Sequence, residues 1–241
     1  MITIEKVDIF GWDAAIRGLR NPMNSWDKSD SYWTKVEDAE TLETAKYEFF
    51  VGEADLKLMK TLSKAGSDHG KFLRMINVTL DITAPLYWWK EFDTYKVGTV
   101  ANSCSTMHKI PDKEFTLDDF SHDHLNNPGD PEGVCFSVPC ANSNSDDYFY
   151  DYFDDEDVLA LVIEALNQYR NRYLKTKDKR FWYKMIQLLP SSYNQKRTVQ
   201  LNYQVLKSMY FARKDHKLNE WKTFCDWIET LPYFKEVCID A

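Results

Sequence analysis

An α+β fold is what the patterning of this 241-residue chain predicts, and three observations carry the expectation. Between Leu73 and Thr83 the apolar residues Ile76, Val78, Leu80 and Ile82 alternate with Asn77, Thr79 and Asp81, a period of two that marks a strand with one buried face. Several other segments carry apolar residues at helical spacing. The last third of the chain is read as almost wholly helical, so strands and helices are segregated along the sequence.

In chain order, Trp12 to Arg20 reads as a short helix carrying Arg17 and Arg20 and ended by Asn21-Pro22. Residues 24–40 are polar and rich in Asp and Ser, and they read as a loop anchored by Trp26 and Trp33. Glu53 to Lys64 places Leu56, Met59 and Leu62 on one face, widened by Leu58, and Ala65-Gly66 ends this amphipathic helix. After the strand, Ala84-Pro85 is read as a helix start. Leu86 to Tyr95 follows with Tyr87, Trp88, Trp89 and Phe92, a helix apolar nearly all round that belongs in a core or an interface. Residues 121–157 read as irregular, with turn residues dense at Asn126 to Pro131 and acids and aromatics mixed from Asp146 to Asp157. The acids Asp154, Asp155, Glu156 and Asp157 precede a periodic helix (Val158, Leu161, Val162, Ala165, Leu166, Tyr169) and suit its positive end; a cation site is the minor alternative. Further helices are expected over Asp178 to Leu188, from about Asn202 to Arg213, and around Leu218 to Ile228.

Composition narrows the function classes. The eight glycines form neither a G-x-G-x-x-G nor a P-loop pattern, so a nucleotide or flavin would be held by side chains and helix ends. A net charge of −8 argues against nucleic acid as a partner. No apolar run is long enough for a membrane span, and the first residues lack the pattern of a secretory leader, which makes the cytoplasm the expected location. Five cysteines fit reduced thiols better than a disulfide framework. His122-Asp123-His124 followed by Cys135 and Cys140 lacks close ligand spacing and reads as loop histidines and packed thiols, with no metal expected. Cys104 four residues before His108 would permit a thiol–imidazole pair only if the backbone there were helical.

A longer constellation runs from Val78-Thr79-Leu80-Asp81-Ile82-Thr83-Ala84-Pro85 through the aromatic helix to Thr94-Tyr95-Lys96 and on to Cys104-Ser105. Downstream, Leu189-Pro190 is followed at fixed spacings by Asn202, Arg213 and Asp215, and upstream lie Ala15-Ile16-Arg17-Gly18-Leu19-Arg20 and Ala65-Gly66-Ser67-Asp68-His69. In order and spacing these blocks resemble the flavin-dependent thymidylate synthase (ThyX) family, whose signature is R-H-R-x₇-S-x-R-Y. The resemblance implies a single domain over 1–241 with a central antiparallel sheet, flanking helices, a helical C-terminal part and an insert at about 111–157. It also implies FAD as cofactor, reduced nicotinamide and a folate as co-reactants, and a homotetramer. By the same resemblance Asn202, Lys96, Tyr95, Thr94 and His69 stand at or near flavin-contacting positions, and Arg213, Glu91, Cys104 and Ser105 at substrate-side positions.

The departures are as informative. R-H-R has become Thr94-Tyr95-Lys96, the signature serine falls on Cys104, and R-Y falls on Thr106-Met107. A second phosphate-gripping arginine is replaced by Ile186, and the family's glutamine on the aromatic helix is Glu91. Two lost charge-assisted contacts would weaken dUMP by about 3–6 kcal/mol, or about a hundredfold to ten-thousandfold. Two functions therefore stand open: a diverged flavin-dependent enzyme acting on a pyrimidine-like or related heterocycle, with dUMP a poor substrate, or a non-catalytic binding or assembly protein on the same fold.

Overall fold

The computed structural model describes residues 2–35, 47–125, 134–139 and 148–241. In chain order its elements are β1 (Thr3–Phe10), α1 (Trp12–Arg20), β2 (Tyr32–Lys35), β3 (Tyr47–Phe50), α2 (Glu53–Lys64), β4 (Asn77–Pro85), α3 (Leu86–Phe92), β5 (Val100–Ser103), β6 (Val134–Pro139), β7 (Tyr148–Phe153), α4 (Asp155–Thr176), α5 (Lys179–Leu188), β8 (Asn194–Asn202), α6 (Tyr203–Arg213) and α7 (Asn219–Glu229). The architecture is α+β, with antiparallel pairing and flanking helices. The chain forms two compact units, one of residues 2–82, 92–102 and 197–241, the other of residues 83–91 and 103–196.

In the first unit the sheet has the order β1-β4-β8-β5. β4 buries Val78, Leu80 and Ile82, as its period of two requires, and on the opposite face Thr198 of β8 donates its hydroxyl to Asp81 at 2.6 Å. The Tyr203 amide donates to the Ile76 carbonyl, which sets β8 and β4 antiparallel and delivers the chain directly into α6. Asn202 caps that helix by accepting the Val205 amide at 3.1 Å. Trp12 of α1 meets Tyr203 edge-on at 5.6 Å and Tyr233 at 5.7 Å, and Trp221 and Phe224 of α7 are fully buried. A π-helical turn, Lys235–Ile239, packs against α2 and α6.

The second unit has its own core of Ile110, Phe115, Phe120, Leu159, Leu166 and Met185, built where α4 and α5 pack together. Asn167 of α4 pairs with both the amide and the carbonyl of Phe115, each at 2.9 Å, tying the loop after β5 to the helix. Trp88 and Trp89 of α3 are buried, and the Trp89 indole donates to the Gln195 carbonyl.

Four expectations change. Ala84-Pro85 closes β4 instead of starting a helix, and α3 ends at Phe92, short of Tyr95. Trp33 lies on β2, paired with Phe49 of β3, and not in a loop. The stretch read as irregular contains β6 and β7, paired antiparallel from Val134↔Phe153 to Pro139↔Tyr148. The turn-rich run 126–131 and Cys140 lie outside the described residues. On α2, Met59 is buried as expected, but its fully buried neighbours along that face are Asp55 and Ser63, while Leu58 and Leu62 line a cavity. No helix among the described residues is long and apolar enough to cross a membrane.

Candidate functional site

The cavity lies between the end of α1, the segment after it, α2 and the 3-10 turn Gly70–Arg74. It encloses about 810 Å³, within the roughly 300–1,000 Å³ of small-molecule sites. Leu19, Leu58, Leu62 and Phe72 give it an apolar floor; Arg20, Lys28, Lys57, Lys71 and His69 surround that floor with donors, against Asp68 as the one acidic side chain in its lining.

Arg20 is the best-organised member. Its side chain is 5% exposed, its Nε donates to Asp55 Oδ1 at 2.6 Å, and Nη1 donates to the Ser25 carbonyl at 3.2 Å. Nη2 has no acceptor among the described residues, although the side chain lines the cavity. A buried guanidinium group with donors left over is a ready contact for an anionic or carbonyl-bearing ligand. The other Asp55 oxygen accepts from Ser29 Oγ at 2.7 Å, Ser31 Oγ at 2.6 Å and the Asp30 amide at 3.2 Å. Burial alone would raise the Asp55 pKa, but the two serine hydroxyls and Arg20 outweigh it and hold the carboxyl below its ordinary value. Asp30 in turn caps α2 through the amides of Ala54 and Asp55, so the loop and the helix that wall the cavity form one hydrogen-bonded block.

Of the residues singled out in the sequence, His69 is on this cavity, at the start of the 3-10 turn. Tyr95 and Arg213 meet elsewhere in the same unit, and Asn202 stands at the other end of α6 from Arg213. Arg213, in the last turn of α6, donates from Nε to the Tyr95 hydroxyl at 2.9 Å, and its guanidinium carbon lies 4.9 Å from the Trp221 ring centre and 5.6 Å from that of Tyr95. The hydrogen bond to Tyr95 and the cation–π contact with Trp221 hold the guanidinium group in place. Asn202 borders the same loop: a Cβ at Gly98, whose φ is +80°, would sit 3.2 Å from its Nδ2 and 2.9 Å from Val205 Cγ2. Thr94 and Lys96 flank Tyr95 at exposed positions. Glu91, Cys104 and Ser105 belong to the other unit. There Cys104 is exposed with its amide donating to the Lys196 carbonyl, and Ser105 Oγ accepts the His108 amide. No hydrogen bond joins the Cys104 thiol to the His108 ring, so this pair holds no activated thiol.

Sequence reasoning missed the Arg20–Asp55 pair. Arg20 stood in the A-x-R-x-x-R stretch, but its partner lies 35 residues away on a face read as apolar, and no local pattern connects them. Among the described residues no group of three or more His, Cys, Asp and Glu side chains is placed to hold a metal ion.

No family model and no curated protein matches the chain. Solved structures do. The flavin-dependent thymidylate synthase ThyX from Helicobacter pylori, complexed with FAD and dUMP, is 15% identical with a TM-score of 0.62, and the match covers 98% of each chain. The UMP/dUMP methylase PolB from Streptomyces cacaoi, bound with 5-Br dUMP, is 16% identical with a TM-score of 0.55, covering 95% of this chain and 89% of that one. The likeness spans nearly the full length of both, so it is the fold of the flavin-dependent thymidylate synthases that this chain adopts.

Proposed function

We propose that this protein is a diverged flavin-dependent enzyme acting on a pyrimidine-like or related heterocycle, with dUMP a poor substrate. The observation that carries the reading is the cavity beside His69, where an apolar floor meets the buried Arg20 and its undirected Nη2 donors. Those residues fit a flavin. Leu58, Leu62 and Phe72 suit a flat ring system, and Arg20, Lys71 and His69 suit its carbonyl and phosphate oxygens. When bound, the flavin would supply hydride or electron transfer, with reduced nicotinamide as electron source and a folate as carbon donor by resemblance.

Arg213 is assigned to the substrate ring. Its guanidinium group is held by Trp221 and Tyr95, so a heterocycle would meet a pre-positioned cation. Tyr95 stands where the signature has histidine and spends its hydroxyl on Arg213 within the chain. Thr106 and Ile186 provide no cation for a phosphate, which supports discrimination against dUMP. We extend the proposal to a homotetramer, as the resemblance implies; within one chain the cavity lining and the Tyr95–Arg213 pair share no residue.

One observation favours the second reading, a binding or assembly protein: the paired strands β2 and β3 expose Tyr32, Trp33, Tyr47 and Phe50. Equilibrium dialysis against FAD and, separately, against dUMP decides. The proposal expects FAD to be retained and dUMP to pass freely. Protein that retains no FAD would sink the enzyme reading, and tight retention of dUMP would overturn the argument from the lost arginines.

A further inference from the structure

The unit of residues 83–91 and 103–196 carries a second concave site, independent of the His69 cavity. It encloses about 340 Å³ and is lined by Tyr173 of α4, Lys179, Trp182 and Tyr183 of α5, and Met107 and His108 from the loop after β5. Trp182 and Tyr183 form a corner, with ring centres 4.9 Å apart and planes at 75°. The indole is fixed, because its Nε1 donates to the Met107 carbonyl at 2.9 Å. Tyr183 is 56% exposed and Met107 45% exposed, while Trp182 is partly buried against the core, so one ring and a thioether face solvent beside a fixed indole.

The polar side of this corner has one sign. Lys179 Nζ and the His108 ring have no acceptor among the described residues, and Lys177 lies 5.7 Å over the Tyr173 ring. The nearby carboxylates are already engaged: Asp178 with Arg180 at 2.7 Å, and Asp112 with Lys109 at 2.9 Å. A cationic guest would therefore be repelled, and an anion would find two donors beside a stacking surface.

We propose that this cavity binds a planar aromatic carboxylate of one or two rings, stacked against Trp182 and Tyr183 with its carboxylate on Lys179 and His108. The volume is at the low end for ligand sites, which limits the guest to that size.

Calorimetric titration of the full chain with indole-3-carboxylate, indole-3-carboxamide and tryptamine tests the proposal. The carboxylate is expected to bind saturably, the carboxamide about tenfold more weakly, as one lost charge-assisted hydrogen bond at a partly hydrated site predicts, and the amine not at all. Lys179→Met should erase the preference for the carboxylate, and Tyr183→Leu should weaken both ring ligands, with circular dichroism confirming that each variant is folded. Saturating FAD should leave the titration unchanged, which keeps this result separate from the flavin reading. Absence of carboxylate binding, equal binding of the carboxamide, indifference to both substitutions, or displacement by FAD or by uridine monophosphate would each overturn the assignment.

Discussion

Replacing Asp55 by Asn tests the physical basis of the cavity. The side chain is 0% exposed and its partner Arg20 is 5% exposed, so the substitution keeps shape and volume while leaving the guanidinium charge buried without its counter-ion. Removing one partner from such a pair costs about 3–5 kcal/mol, a large part of the 5–15 kcal/mol that holds an ordinary domain together. At roughly 2–4 °C per kcal/mol for a chain of this size, the melting temperature should fall by about 6–20 °C. Adding Arg20→Met removes the stranded charge and should restore about 2 kcal/mol, so the double variant is more stable than Asp55→Asn alone. The pH dependence follows from the same carboxyl. Its folded pKa is depressed, so its contribution is present above the ordinary value of 3.8 and is lost as pH falls through the lower folded value. Urea unfolding at neutral pH and at a series of acidic pH values reads both effects. An Asp55→Asn variant within about 1 kcal/mol of the parent, or a double variant as weak as the two losses summed, would refute the reasoning.

Other outcomes follow from single contacts. Gly98→Ala forces a side chain into a left-handed backbone with Val205 Cγ2 at 2.9 Å, and thermal unfolding should show a loss of about 1–2 kcal/mol. The Tyr210 hydroxyl bonds Glu229, which with burial pushes its pKa up to about 12. Its stabilisation should persist below the ordinary tyrosine value and vanish as pH rises through the folded one, and ultraviolet titration of Tyr210→Phe should lack this late-ionising group. Burial pushes the Cys238 thiol up to about 12 and that of Cys225 up to about 11, whereas Cys104 is exposed. Of these three, mass mapping after brief alkylation should find only Cys104 modified. Expression in a thymidine-requiring strain should not restore growth without thymidine.

Helices whose periodicity and caps are local could be read closely from the sequence. α1 and α2 have the expected bounds, and α6 runs from its cap Asn202 to Arg213, where a helix was expected. β4 was legible because both its faces follow one rule. β1 and β8 were not: β1 is exposed along most of its length, and β8 carries Gln195, Lys196, Arg197 and Gln200 among its apolar residues. β7 was concealed by Asp151 and the acids on either side, which lower strand propensity until a pairing partner is present. The site divides in the same way. Tyr95 and Arg213 lie 118 residues apart and their contact follows from the fold alone, while the resemblance had already marked both. Arg20 and Asp55 are joined by burial, which no spacing rule encodes.

Fluorescence titration of FAD into the purified chain and into a Leu58→Trp variant, whose larger side chain fills the cavity beside His69, tests the central claim most directly. Saturable binding by the parent, lost in a folded Leu58→Trp variant, is the predicted result. No binding by the parent, or undiminished binding by the variant, would contradict it.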